Sequence, residues 1–158
     1  MVQADHRADG AFLQRFGNID RRLRAIEAFM ASVNSSAGDV GPNITTASTS
    51  YVATSPACSA QATCGLAGIF LVIASAQVTI NPGATASIGL FESGALLIDP
   101  FLSLSNNTSG QIGAPGSATN LLTGVTPYSF KTFELRYKTS IRTVFATFGN
   151  PNLTIIPL

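Results

Sequence analysis

Apolar side chains recur through the first part of the chain at a helical period. Phe12, Phe16, Ile19, Leu23, Ile26, Met30 and Val33 are separated alternately by four and three residues, the seam of a heptad repeat. With Phe16, Leu23 and Met30 at the a positions, Phe12, Ile19, Ile26 and Val33 fall at d, and leucine at a with isoleucine at d favours trimers or tetramers over dimers. The pattern predicts a coiled-coil helix over residues 12–36, firmest from Ile19 to Val33, about 22 Å at 1.5 Å per residue. A helix that short is marginal in isolation, so its strands need a second contact. The alternative is one amphipathic helix packed on its own domain, for which a wider apolar stripe than this a/d seam is usual.

The period then changes. "NSSAGDVGPNITTASTS" has the Gly, Pro, Ser and Thr content that ends a helix, and residues 37–47 read as a linker. From residue 48 to 158 the chain consists of short strand-like runs divided by turn signals: "SYVAT", "LAGIFLVIAS", "AQVTI", "TASIGLF", "ALLIDPFLSL", "YSFKTFELRYK", "RTVFATF" and "LTIIPL". Eight or nine strands without intervening helical pattern predict an antiparallel β-sandwich of jelly-roll type, with Phe70, Val72 and Ile80 in its core. "INPGA" reads as a tight hairpin through Pro82 and Gly83. Residues 105–120, "SNNTSGQIGAPGSATN", read as a long polar loop; Asn106, Asn107, Ser109 and Gln111 are its candidate ligand-facing residues. The fold class is thus mainly β with an N-terminal α-helix, a short parallel trimeric coiled coil followed by the sandwich head.

Charge sharpens this division. Residues 1–39 hold five arginines, four aspartates and one glutamate, whereas from Val40 to Phe130 the only charged side chains are Glu92 and Asp99. In the heptad register Arg15 and Arg22 fall at g, and Asp20 and Glu27 at e five residues on, so both g–e′ pairs of a parallel neighbour are attractive. The hexapeptide from Arg22 to Glu27 also resembles the short trimerisation motif of three-stranded coiled coils. A chain 46% hydrophobic and only 11% charged exceeds the apolar content a solvated monomer needs, so residues 66–104 are expected to be buried partly between subunits. The polar residues 1–11 read as an arm that orders on a partner. A net charge of +1 with no basic block argues against nucleic acid as a partner. The longest apolar run, from Leu66, is shorter than the roughly 20 residues of a spanning helix, and the start lacks the apolar stretch of a secretory signal, so no membrane insertion is expected.

Candidate chemistry is sparse. His6 is the single histidine and lies in the arm, leaving a nucleophilic triad without a base. Glu92 and Asp99 would have to share one cleft, with one pKa raised, to act as a glycosidase pair; turn and strand-end positions are the plainer reading. "GQIGAPGS" has no lysine and no following helix, so it is not a phosphate loop. No catalytic residue, metal ligand set or cofactor is expected. Cys58 and Cys64 are too few for a zinc site; a disulfide between them and two free thiols are both open readings.

"LLTGVTPYSFKTFELRYKT" followed by "TVFATFGNPNLTIIPL" resembles the closing strands of the β-domains of tailed-bacteriophage minor tail and fibre proteins, and "STSYVAT" and "FLVIASAQVT" resemble their opening strands. The resemblance covers most of residues 46–158. It implies a non-enzymatic homotrimer of the virion, assembled in the host cytoplasm, with a coiled-coil stalk and a sandwich head. The functional classes that follow are an adhesion module presenting its head to a host-surface glycan or protein, and a capsid decoration or head fibre held to other virion proteins by its N-terminal arm. Polar tip loops with exposed aromatics would favour the first.

Overall fold

The computed structural model describes residues 14–24, 26 and 37–158. Nine strands follow the helix: β1 (Ala37–Val40), β2 (Ile44–Thr46), β3 (Ser59–Thr63), β4 (Phe70–Ile80), β5 (Thr85–Glu92), β6 (Ala95–Ser105), β7 (Ile112–Leu122), β8 (Phe130–Thr139) and β9 (Ala146–Pro157). They form two antiparallel sheets. In the first, β1 and β2 pair successive parts of β9, followed by β4 and β7; the second has the order β3-β8-β5-β6. The pairs β2/β9, β3/β8, β4/β7 and β5/β6 are nested one inside the next, which is the connectivity of a long hairpin wrapped into a jelly roll. The innermost turn, at Ser93 and Gly94, has φ of 49° and 87°; positive φ at both central residues suits the right-handed twist of the strands it joins.

The core is built by alternation. On β4, Phe70, Val72, Ala74, Ala76, Val78 and Ile80 face inward and are buried, and β8 supplies Phe133, Leu135 and Tyr137 from the opposite sheet. Two aromatic pairs tie the sheets together: Phe70 meets Phe133 edge-on at 5.3 Å, and Tyr137 meets Phe148 at 5.0 Å. β9 is one strand rather than the two runs its sequence suggests. It passes through a bulge at Asn150 and Pro151, where Asn150 has φ 46° and its N–H donates to Asn43 Oδ1 at 2.7 Å. A bulge tolerates the missing proline N–H.

Several expectations are corrected. Residues 37–47 are no linker, because β1 and β2 complete the first sheet against β9. The Pro82–Gly83 turn joins strands of different sheets, so it is a corner and not a hairpin. "SYVAT" forms only the isolated bridge between Val52 and Tyr137. The loop expected over 105–120 shrinks to 106–111, because Ile112 onward pairs with β4 over its whole length. Cys58 and Cys64 are free and lie at opposite ends of β3, both buried. Six extended residues place their Cα atoms about 20 Å apart, far beyond a disulfide's reach. Burial pushes both thiols up in pKa.

Candidate functional site

The strand registers give the head two unlike ends. One is marked by the start of β4, where Phe70 pairs with Leu122 and Pro157. β1 begins near this end, with Ala37 opposite Ile155, and runs away from it. Here Leu66, Leu96, Leu97, Leu121, Phe130 and Leu158 are all exposed. A groove of about 250 Å³ opens beside them, lined by Leu97, Leu122, Val125 and Phe133 and by the Glu92–Lys131 ion pair.

The far end is polar and is formed by residues 47–50, 81–84, 106–111 and 140–145. Hydrogen bonds hold these segments together. Thr85 and Ser140 exchange two bonds, with Thr85 N–H donating to Ser140 Oγ and Ser140 N–H to Thr85 O, both at 2.8 Å. Thr139 N–H donates to Ser48 O at 2.8 Å. The Ser48 hydroxyl donates to Ser50 O at 2.7 Å and accepts from Ser50 N–H, a side-chain turn that shapes the loop locally. Between this loop and the 140–145 turn lies an open groove of about 530 Å³, lined by Ala47, Ser48, Thr49, Ser50 and Arg142. Ile141 and Phe145 of the same turn are exposed, Phe145 by 56%.

The structure separates the four candidate loop residues. Asn106 is fully buried and holds the loop from inside: its amide donates to Ile80 O at 2.9 Å and Gly110 O at 2.8 Å, and its Oδ1 accepts from Thr108 N–H and Oγ1. It faces no ligand. Asn107, Ser109 and Gln111 are exposed, with Gln111 donating to Asn81 Oδ1 at 3.0 Å. Sequence reading missed Arg142 and residues 47–50. The signal available was the head's charge balance, since three acids stand against four cations from residue 48 onward.

Glu92 and Asp99 are each matched to a lysine, Lys131 and Lys138. Asp99 accepts from the Tyr51 hydroxyl and from Lys138, and these two partners hold its carboxyl below the usual range. That is the reverse of the raised pKa a general acid needs. Tyr51 is pushed up, first by burial and then by Asp99. Among the described residues no group of His, Cys, Asp and Glu is arranged to hold a metal.

On the helix, Phe16, Ile19, Leu23 and Ile26 are all more than half exposed, from 52% to 60%. A shallow groove of about 210 Å³ lies between Ile19, Arg22, Leu23 and Ile26. Asp20 pairs with Arg24 of its own helix at 3.1 Å. Phe12, Glu27, Met30, Val33 and the arm over residues 1–11 lie outside the described residues. No helix among the described residues is long and apolar enough to cross a membrane.

No family model matches the chain, and no curated protein matches it. Among solved structures the chain is similar to the Eiger TNF from S. frugiperda, at 9% identity and a TM-score of 0.47, over 78% of this chain and 91% of that one. It is also similar to an apo-form cyclase from Fischerella sp., at 13% identity and a TM-score of 0.33, over 62% of this chain and 54% of that one. A third is CsCBM6-3 from Clostridium stercorarium, solved with cellobiose, at 15% identity and a TM-score of 0.25, over 80% and 87%.

Proposed function

We propose that the chain is a non-enzymatic, homotrimeric adhesion component of a bacteriophage virion, a minor tail or fibre protein whose helix joins three chains and whose head presents its polar end to the host surface. The observation that carries the reading is the seam of the helix. Ile19, Leu23 and Ile26 stand exposed in heptad register, with a shallow hole between them of the kind a neighbour's side chain fills in a coiled coil. An apolar stripe repeated at that period has little use on a helix that meets only water. The outward face of the first sheet supports the same reading. Leu71, Ile73, Ser75, Gln77 and Thr79 of β4, with their outward neighbours on β1, β2, β7 and β9, include no charged side chain. Such a face can meet another copy without desolvating an ion.

The virion assignment comes from the sequence resemblance, and the adhesion role is supported by the polar end with its exposed Phe145. A second reading, a capsid decoration or head fibre, is favoured by the exposed leucines and Phe130 at the end where the chain enters the head, which would suit a socket on the particle. Sedimentation equilibrium of the full chain should give a trimer at micromolar concentration; a monomer refutes the assembly. Removing residues 1–8 should strip the protein from particles, whereas trimming residues 107–110 or 140–144 should leave incorporation intact and reduce host adsorption. Unchanged adsorption after both loop deletions selects the decoration reading.

A further inference from the structure

We infer that the groove between residues 47–50 and the 140–145 turn takes a carboxylated sugar, with Arg142 as the fork for its carboxylate. The biological source of that sugar rests on the adhesion reading above; the chemistry of the groove does not. The charges of the head are almost all matched. Lys131 pairs with Glu92, Arg136 with Glu134 and Lys138 with Asp99, and Arg142 is the one cation of the described head left without a hydrogen-bond or ion-pair partner. The remaining acid, Asp39, accepts the Ser59 N–H at 2.8 Å beside β1 and β3. A head this poor in charge therefore keeps one guanidinium unpaired, at its polar end and on the wall of a groove.

The rest of the groove's wall is small and polar. Ser48 is tied up by its bonds to Ser50, and the loop is anchored to β8 through Thr139, so the backbone is fixed before any ligand arrives. The hydroxyls of Thr49 and Ser50 are exposed and take no bond within the described protein, which leaves donors and acceptors for sugar hydroxyls. The volume, about 530 Å³, falls in the range of small-ligand sites. A carboxylate fits better than a phosphate. A guanidinium grips a planar carboxylate through two parallel hydrogen bonds and neutralises its single charge, whereas a phosphate monoester would bring nearly a second charge with no second cation on the wall.

The test is saturation-transfer NMR on the full chain with glucuronate, galacturonate and N-acetylneuraminate. The methyl ester of glucuronic acid removes the charge, and glycerol phosphate changes the anion. Transfer to the ring protons of at least one acidic sugar is expected, with little to the ester or to glycerol phosphate. Arg142→Ala should weaken it about tenfold or more, and Arg142→Lys should restore part of it. Absence of transfer to any of the three sugars, equal transfer in Arg142→Ala, or equal transfer to glycerol phosphate overturns the assignment. Labelling host cells with fluorescent wild-type chain and Arg142→Ala separates this from the adhesion reading. A groove that binds sugar on a chain that does not coat cells overturns adhesion alone, and equal coating by both variants overturns the role of Arg142 alone.

Discussion

Replacing Gly89 by alanine should destabilise the head by about 1–2 kcal/mol, and the loss should disappear when Tyr51 is shortened. Gly89 sits in β5, between the flanking strands β6 and β8, and its φ is not in the left-handed region, so alanine suits the backbone. In a strand that exchange alone would be stabilising by roughly 0.5–1 kcal/mol. The obstacle is the Tyr51 ring, which would lie 2.7 Å from the new Cβ at Cζ and 2.8 Å at Cε1. Carbon atoms at rest sit about 3.5–4 Å apart, so the ring must lift. Lifting it disturbs the edge contact with Phe91 at 5.4 Å, about 0.5–1.5 kcal/mol, and the Lys138 ammonium 4.2 Å from the ring centroid, about 0.5–1 kcal/mol at a partly exposed site. It also breaks the Tyr51–Asp99 hydrogen bond. The assay is urea unfolding of the full chain at one protein concentration, because an oligomer's midpoint depends on it. Gly89→Ala should lower the midpoint in the wild-type background and leave it unchanged or raised beside Tyr51→Ala. Equal losses in both backgrounds, with a coupling below about 0.5 kcal/mol, would refute the ring as the cause.

Ile26→Asp should convert the proposed trimer to monomers of 16.4 kDa, or to a trimer held only by its heads, in sedimentation equilibrium, because three carboxylates would meet on one axis without partners. Asn106→Ala should cost about 2–4 kcal/mol in the same unfolding assay by orphaning the buried Ile80 carbonyl and opening the 106–111 loop, while Asn107→Ala stays within about 0.5 kcal/mol. Ile73→Lys, on the outward face of β4, should leave the monomer folded by circular dichroism and weaken the proposed trimer. Acid should act through Asp99: its folded pKa is depressed, so its contribution is complete above the unfolded value of about 4 and is lost as pH falls through the folded one. Tyr51→Phe removes the first cause of that depression, and the acid limb of melting temperature against pH should flatten while the neutral region shifts uniformly.

The strands with strong alternation were legible because their inward positions are large or β-branched. Phe70, Val72 and Ile80 are all core, and the β8 run "FELRYK" alternates without interruption. β7 was not legible. Its sequence, "IGAPGSATNLL", is made of residues with low strand preference, and it becomes a strand because the edge of β4 pairs with every one of its residues. Pro115 betrays nothing wrong there, since an edge strand need not supply every N–H. β1 and β2 were hidden for a similar reason: three- and four-residue strands containing Gly, Asp and Thr carry no period to read, and only β9 makes them strands. Asn106 looked like a ligand residue because composition cannot tell an asparagine that faces water from one that organises a turn. Arg142 was overlooked because an isolated arginine says nothing until every other head cation is seen to have its acid.

The distribution of charge over the finished head also bears on how three copies would meet. Glu134, Arg136 and Lys138 project from β8 on the outside of the second sheet, where Lys138 reaches Asp99 and Arg136 lies 4.4 Å over the Phe91 ring. Turning that face toward a threefold axis would strip water from several ions and disturb pairs that are stable where they are. The outside of the first sheet offers the contrary case. Its centre pairs Ser75 with Ser117 and Asn152, and toward the entry end Leu71 lies between Leu121 and Ile156, so both the neutral hydrogen-bonding groups and the apolar ones can be covered by an identical surface. Self-association through this face carries no repulsion between like charges, which is the first obstacle any symmetric contact has to avoid. Heads packed this way would keep the charged sheet in water and point the Arg142 groove of each chain away from the end at which its β1 enters.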